Sequence, residues 1–93
     1  RDFIFVQDIV KANVAAMQSN VEHGFFNIGT GNSISLNELA SLMIKISGKS
    51  LQVQYNEPLD GDIKLSKADI SLATKTFDWK PQTPFEEGLQ TLF

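Results

Sequence analysis

Residues 25–39 constrain the fold most, because an apolar run, a glycine pair and a helix start follow directly on one another. The run over residues 25–28 is bulky and apolar except for Asn27, which is typical of a buried β-strand. Ser35 and Glu38 have the S-x-x-E spacing of a capping box, which marks the start of a helix. We therefore predict a strand, a tight turn and a helix in immediate succession.

The glycine pair between these two elements allows two interpretations. Gly29 and Gly31 permit a tight turn or a close approach of the backbone to another group. A turn from a strand into a helix N-terminus is also a common site for nucleotide phosphates. A dinucleotide fingerprint would need a third glycine where Ile34 stands, and an acidic residue near position 53, where none stands. These departures favour a structural turn over a phosphate cradle.

Two further strands are predicted, which makes the chain an α/β protein. Residues 1–6 include a fully apolar run from position 3, typical of a strand covered on both faces. Residues 51–55 alternate between apolar or aromatic side chains and glutamines, which is typical of a strand with one solvated face. The expected order of elements is β-α-β-α-β-α-α.

Four helices are predicted, and each has a recognisable cap or stop signal. Apolar residues cover most of the circumference of the first, which predicts burial on more than one side. The expected spans are residues 9–19 behind an Asp8 cap, 35–47 before Gly48, 69–77 behind an Asp69 cap, and a last helix from Thr83 and Pro84 to Phe93.

Composition excludes several classes of function. With 93 residues the chain is one domain at most, and its net charge of −3 without a basic cluster argues against nucleic-acid binding. The absence of cysteine excludes disulfides and thiolate metal sites, and fits a reducing cytoplasm. No apolar run approaches the roughly 20 residues needed to span a membrane.

The residues carry no catalytic, cofactor or metal site that we recognise. His23 is the one histidine, and its place beside a turn glycine indicates a solvated loop residue. Asp60 and Asp62 flank a glycine as in part of a calcium loop, but the later ligands and closing Glu are missing. Tyr55 is followed four positions later by Leu59 instead of Lys, so no Tyr-x-x-x-Lys proton-transfer pair is present.

Arg1 stands at the mouth of the first predicted strand, and two roles are open for it. A guanidinium is planar and always charged, so it is suited to hold a phosphate. The simpler role, which the residues alone favour, is a surface ion pair with Asp2 or Asp8. The chain also enters a buried-type strand within three residues of a non-Met start, which indicates a piece of a longer protein.

Five segments resemble motifs of the NAD-dependent sugar-nucleotide epimerases and dehydratases, extended short-chain dehydrogenase/reductases typified by the UDP-glucose 4-epimerases. They follow the family order and spacing along the whole chain. The segments are RDFIFVQDIV at 1–10, FNIGTG at 26–31 with SLNEL at 35–39, GDIK at 61–64 with ADIS at 68–71, WKP at 79–81 and FEEGL at 85–89.

The resemblance implies that residues 1–93 are the C-terminal, substrate-binding part of an extended Rossmann-type enzyme, with short strands and about four helices. The N-terminal dinucleotide-binding core, its glycine fingerprint and its Tyr-x-x-x-Lys pair would lie upstream and are absent here. In the family, NAD oxidises the sugar transiently, generally at C4, while the tyrosine moves a proton. NAD is therefore expected on the missing core, and no cofactor on this part, which is inactive alone.

The resemblance also implies three substrate-binding residues. Carried over by position, Arg1 would contact the diphosphate, Leu36 would pack near the nucleoside base and Asp62 would bind the ribose. The expected partner is a nucleotide sugar, with a UDP-hexose favoured, in a cytoplasmic homo-oligomer without nucleic-acid or membrane partners.

One departure from the family leaves an alternative open. The family commonly reads Arg-x-Gly-Asp before this ribose residue, and here Leu59 replaces the arginine while Asp60 adds an anion. Lys64 can substitute only as a point charge, without the fork of a guanidinium. The alternative is a non-catalytic relative that binds a ligand or a partner without turnover.

Overall fold

The computed structural model describes all 93 residues and contains four helices. None of these helices has the length and apolar character to cross a lipid bilayer. The helices are α1 (Val6–Gln18), α2 (Leu36–Ser47), α3 (Ser71–Phe77) and α4 (Phe85–Gln90). Each begins within three residues of its predicted start, so the four helices are confirmed.

The three predicted strands, over residues 1–6, 25–28 and 51–55, are not formed, and Val6 already belongs to α1. A strand exists only beside a second strand that shares its backbone hydrogen bonds. Here a single reciprocal pair joins distant backbone segments, between Arg1 and Ile34, with N···O distances of 2.9 and 2.8 Å. The short strands of the α/β prediction are therefore not confirmed, because no neighbouring strand in this chain lies beside these apolar runs.

The local signals at both ends of α2 are confirmed. The Ser35 hydroxyl accepts from the Glu38 backbone N–H at 3.0 Å and caps α2. Gly48 ends α2 in the left-handed conformation with φ of 67°, and Asp78 ends α3 in the same conformation with φ of 54°. Each of these features depends on four or five consecutive residues, which a sequence contains in full.

The other predicted N-caps are wrong. Asp8 lies inside the first turn of α1, and neither Asp69 nor Thr83 occupies the cap position of its helix. Asp69 instead accepts hydrogen bonds from the backbone N–H and hydroxyl of Ser71, two residues further on. The Asp8 carboxylate reaches the distant Thr83 N–H, so a long-range contact outweighs the local cap.

A small core lies between α1 and α3. Its buried members are Ala12, Ala73 and Trp79. Phe26 packs on Phe77 from outside this cluster, with ring centroids 4.5 Å apart. Only one side of α1 is buried, so the prediction that it is covered on more than one side is wrong.

A second contact joins α4 to the N-terminal segment. The rings of Phe3 and Phe85 lie 5.9 Å apart. Gly88 packs so closely on Phe5 that an added Cβ would lie 2.8 Å from the ring atom Cδ1. Gly88 therefore permits the close approach of α4, and α4 also contacts α2.

The molecule is flat and leaves much of its surface uncovered. Its extents are 50 × 31 × 15 Å and its radius of gyration is 16.0 Å, against about 13 Å for a compact 100-residue domain. The accessible surface is 7531 Å², against about 5400 Å² for a compact monomer of this mass. The uncovered area includes a helical stripe on α1, formed by Val6, Val10, Val14 and Met17, which we call the α1 stripe.

Candidate functional site

The glycine turn is built around the Asp2 carboxylate. Its oxygens accept from the backbone N–H groups of Thr30 at 2.9 Å, Gly31 at 3.0 Å and Ala68 at 3.1 Å. Gly31 has φ of 78°, and an added Cβ on Gly29 would lie 2.8 Å from an Asp2 oxygen. The close approach expected of the two glycines is confirmed, and the group they approach is Asp2.

This arrangement supports a structural turn in place of a phosphate cradle. The N–H groups of Thr30 and Gly31 that would face a phosphate already donate to an internal anion. Burial by itself raises the pKa of Asp2, but the hydrogen bonds from Thr30, Ala68 and Gly31 outweigh it and lower the pKa below its ordinary value. Asp2 is therefore held ionised as part of the scaffold.

Arg1 and Asp62, two of the three predicted site residues, form an ion pair. The Arg1 Nη2 lies 2.8 Å from the Asp62 Oδ1 across 61 positions of sequence. Both side chains are about half exposed, at 41% and 51%. The expected ion pair of Arg1 therefore exists, but its partner is neither Asp2 nor Asp8, because each of those carboxylates accepts from backbone N–H groups elsewhere.

Leu36, the third predicted site residue, lies at the same end of the molecule. It is the first residue of α2, and its side chain is 61% exposed. Ile34, two residues earlier, is the one that pairs with the Arg1 backbone. This pairing holds the start of α2 beside Arg1, while the roles of the three residues toward a ligand stay predictions.

Residues 49–67, which we call the connecting segment, carry Asp62 to this place. Its residues are exposed except for Ser66, which is partly buried. Two side-chain contacts attach it to the body: the Arg1–Asp62 ion pair, and the Tyr55 hydroxyl, which donates to the Asn37 Oδ1 at 3.1 Å. Asn37 is adjacent to Leu36, so both attachments meet the candidate site.

The residues of the family departure also lie on the connecting segment. The Leu59 side chain is 79% exposed, and Asp60 and Lys64 are exposed beside it. Arg1–Asp62 is the one salt bridge of the structure, so Lys64 has no anionic partner. Arg1 is therefore the paired cation at this site. Lys64, two positions after Asp62, is the cation nearest to Asp62 in the sequence and has no ion pair.

Asp8 is a buried residue whose role the sequence did not indicate. Its side chain is fully buried; one oxygen accepts from the Thr83 N–H at 3.0 Å, and the other has no partner. Its backbone carbonyl accepts from the Trp79 Nε1 at 3.1 Å. Asp8 thus joins α1 to the segment before α4, and no local pattern distinguishes this role from a helix cap.

The histidine and the possible calcium-loop fragment of the sequence provide no catalytic or metal-binding group at this site. His23 is exposed in a turn. Asp60 and Asp62 flank Gly61, whose φ of 79° forms the turn, and no group of three or more metal-binding side chains lies together in the structure. Arg1 and Asp62 therefore form an exposed ion pair, and the exposed Leu36 follows two residues after Ile34, which pairs with the Arg1 backbone.

Comparison with known proteins identifies the family to which the chain is similar. The family model described as GDP-mannose 4,6 dehydratase matches residues 1–92. Among curated proteins, UDP-glucuronate 4-epimerase of Thermodesulfobacterium geofontis is 33% identical over 91 residues, with 97% of this chain and 28% of the relative covered. A putative UDP-glucose 4-epimerase of Methanocaldococcus jannaschii is 34% identical over 90 residues, with the same two shares.

Solved structures agree with the sequence comparison. UDP-glucose 4-epimerase of Thermotoga maritima, solved with UDP-glucose, is 37% identical with a TM-score of 0.90, and 97% of this chain and 29% of that chain are covered. UDP-glucuronic acid 4-epimerase of Bacillus cereus, solved with UDP-glucuronic acid and NAD, is 30% identical with a TM-score of 0.88 and the same coverage.

The match is complete for this chain and partial for its relatives. The chain spans less than a third of the length of the proteins it matches. Each of these matches nevertheless covers 97% of this chain, so the family resemblance is confirmed. The chain belongs to the family of NAD-dependent nucleotide-sugar epimerases and dehydratases.

Proposed function

We propose that residues 1–93 form the nucleotide-sugar-binding part of an NAD-dependent epimerase related to the UDP-glucose 4-epimerases. The observation that carries the proposal is the meeting of Arg1, Asp62 and the start of α2 at one surface, although Arg1 and Asp62 are 61 positions apart. The family resemblance implies a substrate contact for Arg1, for Asp62 and for Leu36, the first residue of α2.

The chemistry of each residue suits one part of a nucleotide sugar. Arg1 supplies a permanent cation whose N–H groups match the oxygens of a diphosphate. Leu36 presents an exposed apolar side chain against which a flat base can pack. Asp62 supplies carboxylate oxygens that accept from the ribose hydroxyls. A UDP-hexose satisfies all three.

Catalysis and NAD binding are assigned to the rest of the protein. Ligand sites in proteins bury about 70–90% of a ligand of this size, and the half-exposed Arg1 and Asp62 with exposed Leu36 do not enclose one. The Tyr-x-x-x-Lys pair of the family is also absent from residues 1–93. We therefore place the enclosing surface, the dinucleotide site and the proton-transfer tyrosine outside these residues.

Turnover by the full reading frame tests this proposal. The protein is expected to interconvert UDP-hexoses that differ at C4, with NAD bound, and Arg1→Ala is expected to raise KM for the nucleotide sugar. Lys49→Ala, an exposed cation on the connecting segment without an ion pair, serves as the control. A reading frame without a glycine fingerprint and a Tyr-x-x-x-Lys pair contradicts the proposal.

A second candidate function follows from the departure at Leu59. Without the second family arginine, the diphosphate loses a charge-assisted contact, at a cost of about 1.5–3 kcal/mol of binding. A non-catalytic relative that binds a nucleotide without converting it would tolerate this loss. UDP-sugar binding to the full protein without any conversion over long incubation supports this candidate over the first.

We also propose that residues 1–93 bury their uncovered apolar surface against the rest of the protein, and that the 93-residue chain alone buries it by self-association, as expected of a homo-oligomer. The accessible surface exceeds that of a compact monomer by about 2000 Å², which is comparable to the total area buried in a standard protein–protein interface. The α1 stripe and the fully exposed ring of Phe25 belong to this surface.

A further inference from the structure

We infer that Asp62 makes the proposed site selective against anions that lack a ribose, by occupying Arg1 until a nucleotide releases it. This inference rests on the proposed function, and it goes beyond the ribose contact assigned there. Anions without a ribose would bind weakly, so Asp62 would determine the specificity of the site.

The geometry of the unliganded site supports this role. The Asp62 Oδ1 and Arg1 Nη2 are 2.8 Å apart, within the range of a charge-assisted hydrogen bond. No other carboxylate pairs with Arg1, and no other cation pairs with Asp62. The one guanidinium of the site is therefore already neutralised by an internal anion, at the place proposed for the diphosphate.

The two classes of ligand meet this ion pair differently. Phosphate or pyrophosphate offers only anionic oxygens, so its binding to Arg1 must displace Asp62 or place a second anion beside it. A nucleoside diphosphate brings hydroxyl donors on the same molecule, and these can engage Asp62 as the phosphates engage Arg1. When the diphosphate binds Arg1, Asp62 loses its hydrogen bond from Arg1 and gains hydrogen bonds from the ribose hydroxyls in exchange.

The size of the effect follows from the exposure of the pair. Half-exposed ion pairs are weak, so removing the Asp62 charge is expected to tighten pyrophosphate binding about two- to fivefold. The same change replaces a charged acceptor for the ribose with a neutral one and weakens UDP binding several-fold. The preference for UDP over pyrophosphate is therefore expected to fall by about tenfold.

The experiment compares Asp62→Asn with Asp60→Asn in the protein expressed over its full reading frame. The control changes the net charge equally, two residues away on the same turn, but Asp60 does not pair with Arg1. Calorimetric titrations with inorganic pyrophosphate and with UDP give the ratio of the two affinities. Asp62→Asn is expected to lower this ratio about tenfold and to tighten pyrophosphate, while Asp60→Asn leaves the ratio within twofold of wild type.

Several outcomes would overturn the inference. One is equal weakening of both probes by Asp62→Asn, which would make Asp62 a structural residue. A second is an equal gain in pyrophosphate affinity in Asp62→Asn and Asp60→Asn, which would attribute the effect to net charge alone. A third is no gain in pyrophosphate affinity in either variant, which would show that Asp62 does not compete for Arg1. Asp62→Ala, checked for native circular dichroism, repeats the comparison without an amide at this position. Failure of the wild-type protein to bind UDP would instead contradict the proposed function itself.

Discussion

At the scale of single residues, the Asp2 carboxylate accepts more hydrogen bonds from distant parts of the chain than any other side chain. Its hydrogen bonds reach Thr30, Gly31 and Ala68, which lie 28 to 66 positions away. These contacts fix the glycine turn and the start of the segment before α3 beside the N-terminus. Because Arg1 is the adjacent residue, Asp2 also sets the position of the candidate site.

We predict that Asp2→Asn destabilises the protein by about 1.5 kcal/mol at pH 7, because hydrogen bonds to a charged acceptor become hydrogen bonds to a neutral one. The pKa of Asp2 is lowered in the folded protein. Its contribution is therefore complete above the unfolded pKa of about 3.9 and is lost as the pH falls through the lower folded value.

Urea unfolding between pH 7 and pH 2 measures this contribution. Wild type should lose stability below about pH 4, and Asp2→Asn should lose less over the same range. Asp60→Asn, an exposed carboxylate without a hydrogen bond to the body, should behave like wild type. Parallel curves for wild type and Asp2→Asn would contradict the role of Asp2.

The residue-scale features that the sequence predicted are all local. Ser35 and Gly48 act on backbone groups within a few positions, so their patterns are complete in the sequence. The structural role of Asp2 was not predicted and Asp8 was wrongly predicted to be a helix cap, because the partners of both residues lie 28 to 75 positions away. No spacing rule connects residues that only the folded chain brings together.

At the scale of elements, the helices were predictable and the strands were not. A helix satisfies its own backbone hydrogen bonds, so its apolar period and its caps are enough to identify it. A strand depends on a neighbour, and residues 25–28 and 51–55 have the composition of strands without having that neighbour in this chain. The same dependence explains why the α/β class was predicted and only helices formed.

We predict that Ser35→Ala destabilises the protein by about 1 kcal/mol, because the Glu38 N–H at the start of α2 loses its acceptor. Ser41→Ala, an exposed serine inside the same helix, serves as the control and should be neutral or slightly stabilising. Thermal unfolding of the three proteins measures the difference. Equal stability of Ser35→Ala and wild type would contradict the cap.

We predict that Gly88→Ala destabilises the protein by about 1–3 kcal/mol, although alanine is the better helix former. The added Cβ would lie 2.8 Å from Phe5 Cδ1, which forces α4 away from the N-terminal segment. Adding Phe5→Leu to Gly88→Ala should recover part of the loss, which identifies the contact. A stabilised Gly88→Ala would show that α4 does not pack here.

At the scale of the whole molecule, the dominant property is uncovered apolar surface. The α1 stripe contains no charge, and Phe25 is 99% exposed. A chain of this mass would bury such groups if it could do so alone, since apolar burial is the main driving force of folding. The composition gave no sign of this, because an apolar content of 42% is ordinary for a globular protein.

We predict that the 93-residue chain alone self-associates through this surface. Sedimentation over a range of concentrations should show a species larger than the monomer, and Met17→Lys should weaken the association because it places a charge in the α1 stripe. Gln18→Lys adds the same charge at an exposed residue outside the stripe and should have little effect. A monomer at all concentrations, with slow amide exchange over residues 3–6, would contradict this prediction.

The candidate site could be predicted only through the family motifs. Nothing in composition or spacing relates Arg1 to Asp62, and the residues alone favoured Asp2 or Asp8 as the partner of Arg1. The structure adds the ion pair between them and the attachment of the connecting segment at Asn37, next to Leu36. Both contacts form because the exposed connecting segment folds back on the body of the protein, and no local sequence pattern predicts such a path.

The most direct test of the proposed nucleotide-sugar site is the calorimetric affinity of the full protein for UDP-glucose, with and without Arg1. Arg1→Ala is expected to weaken binding by about ten- to a hundredfold, the loss of a charge-assisted contact to the diphosphate. Lys49→Ala, which removes an exposed and unpaired cation, is expected to bind like wild type. An affinity for UDP-glucose that is unchanged in Arg1→Ala would contradict the central claim.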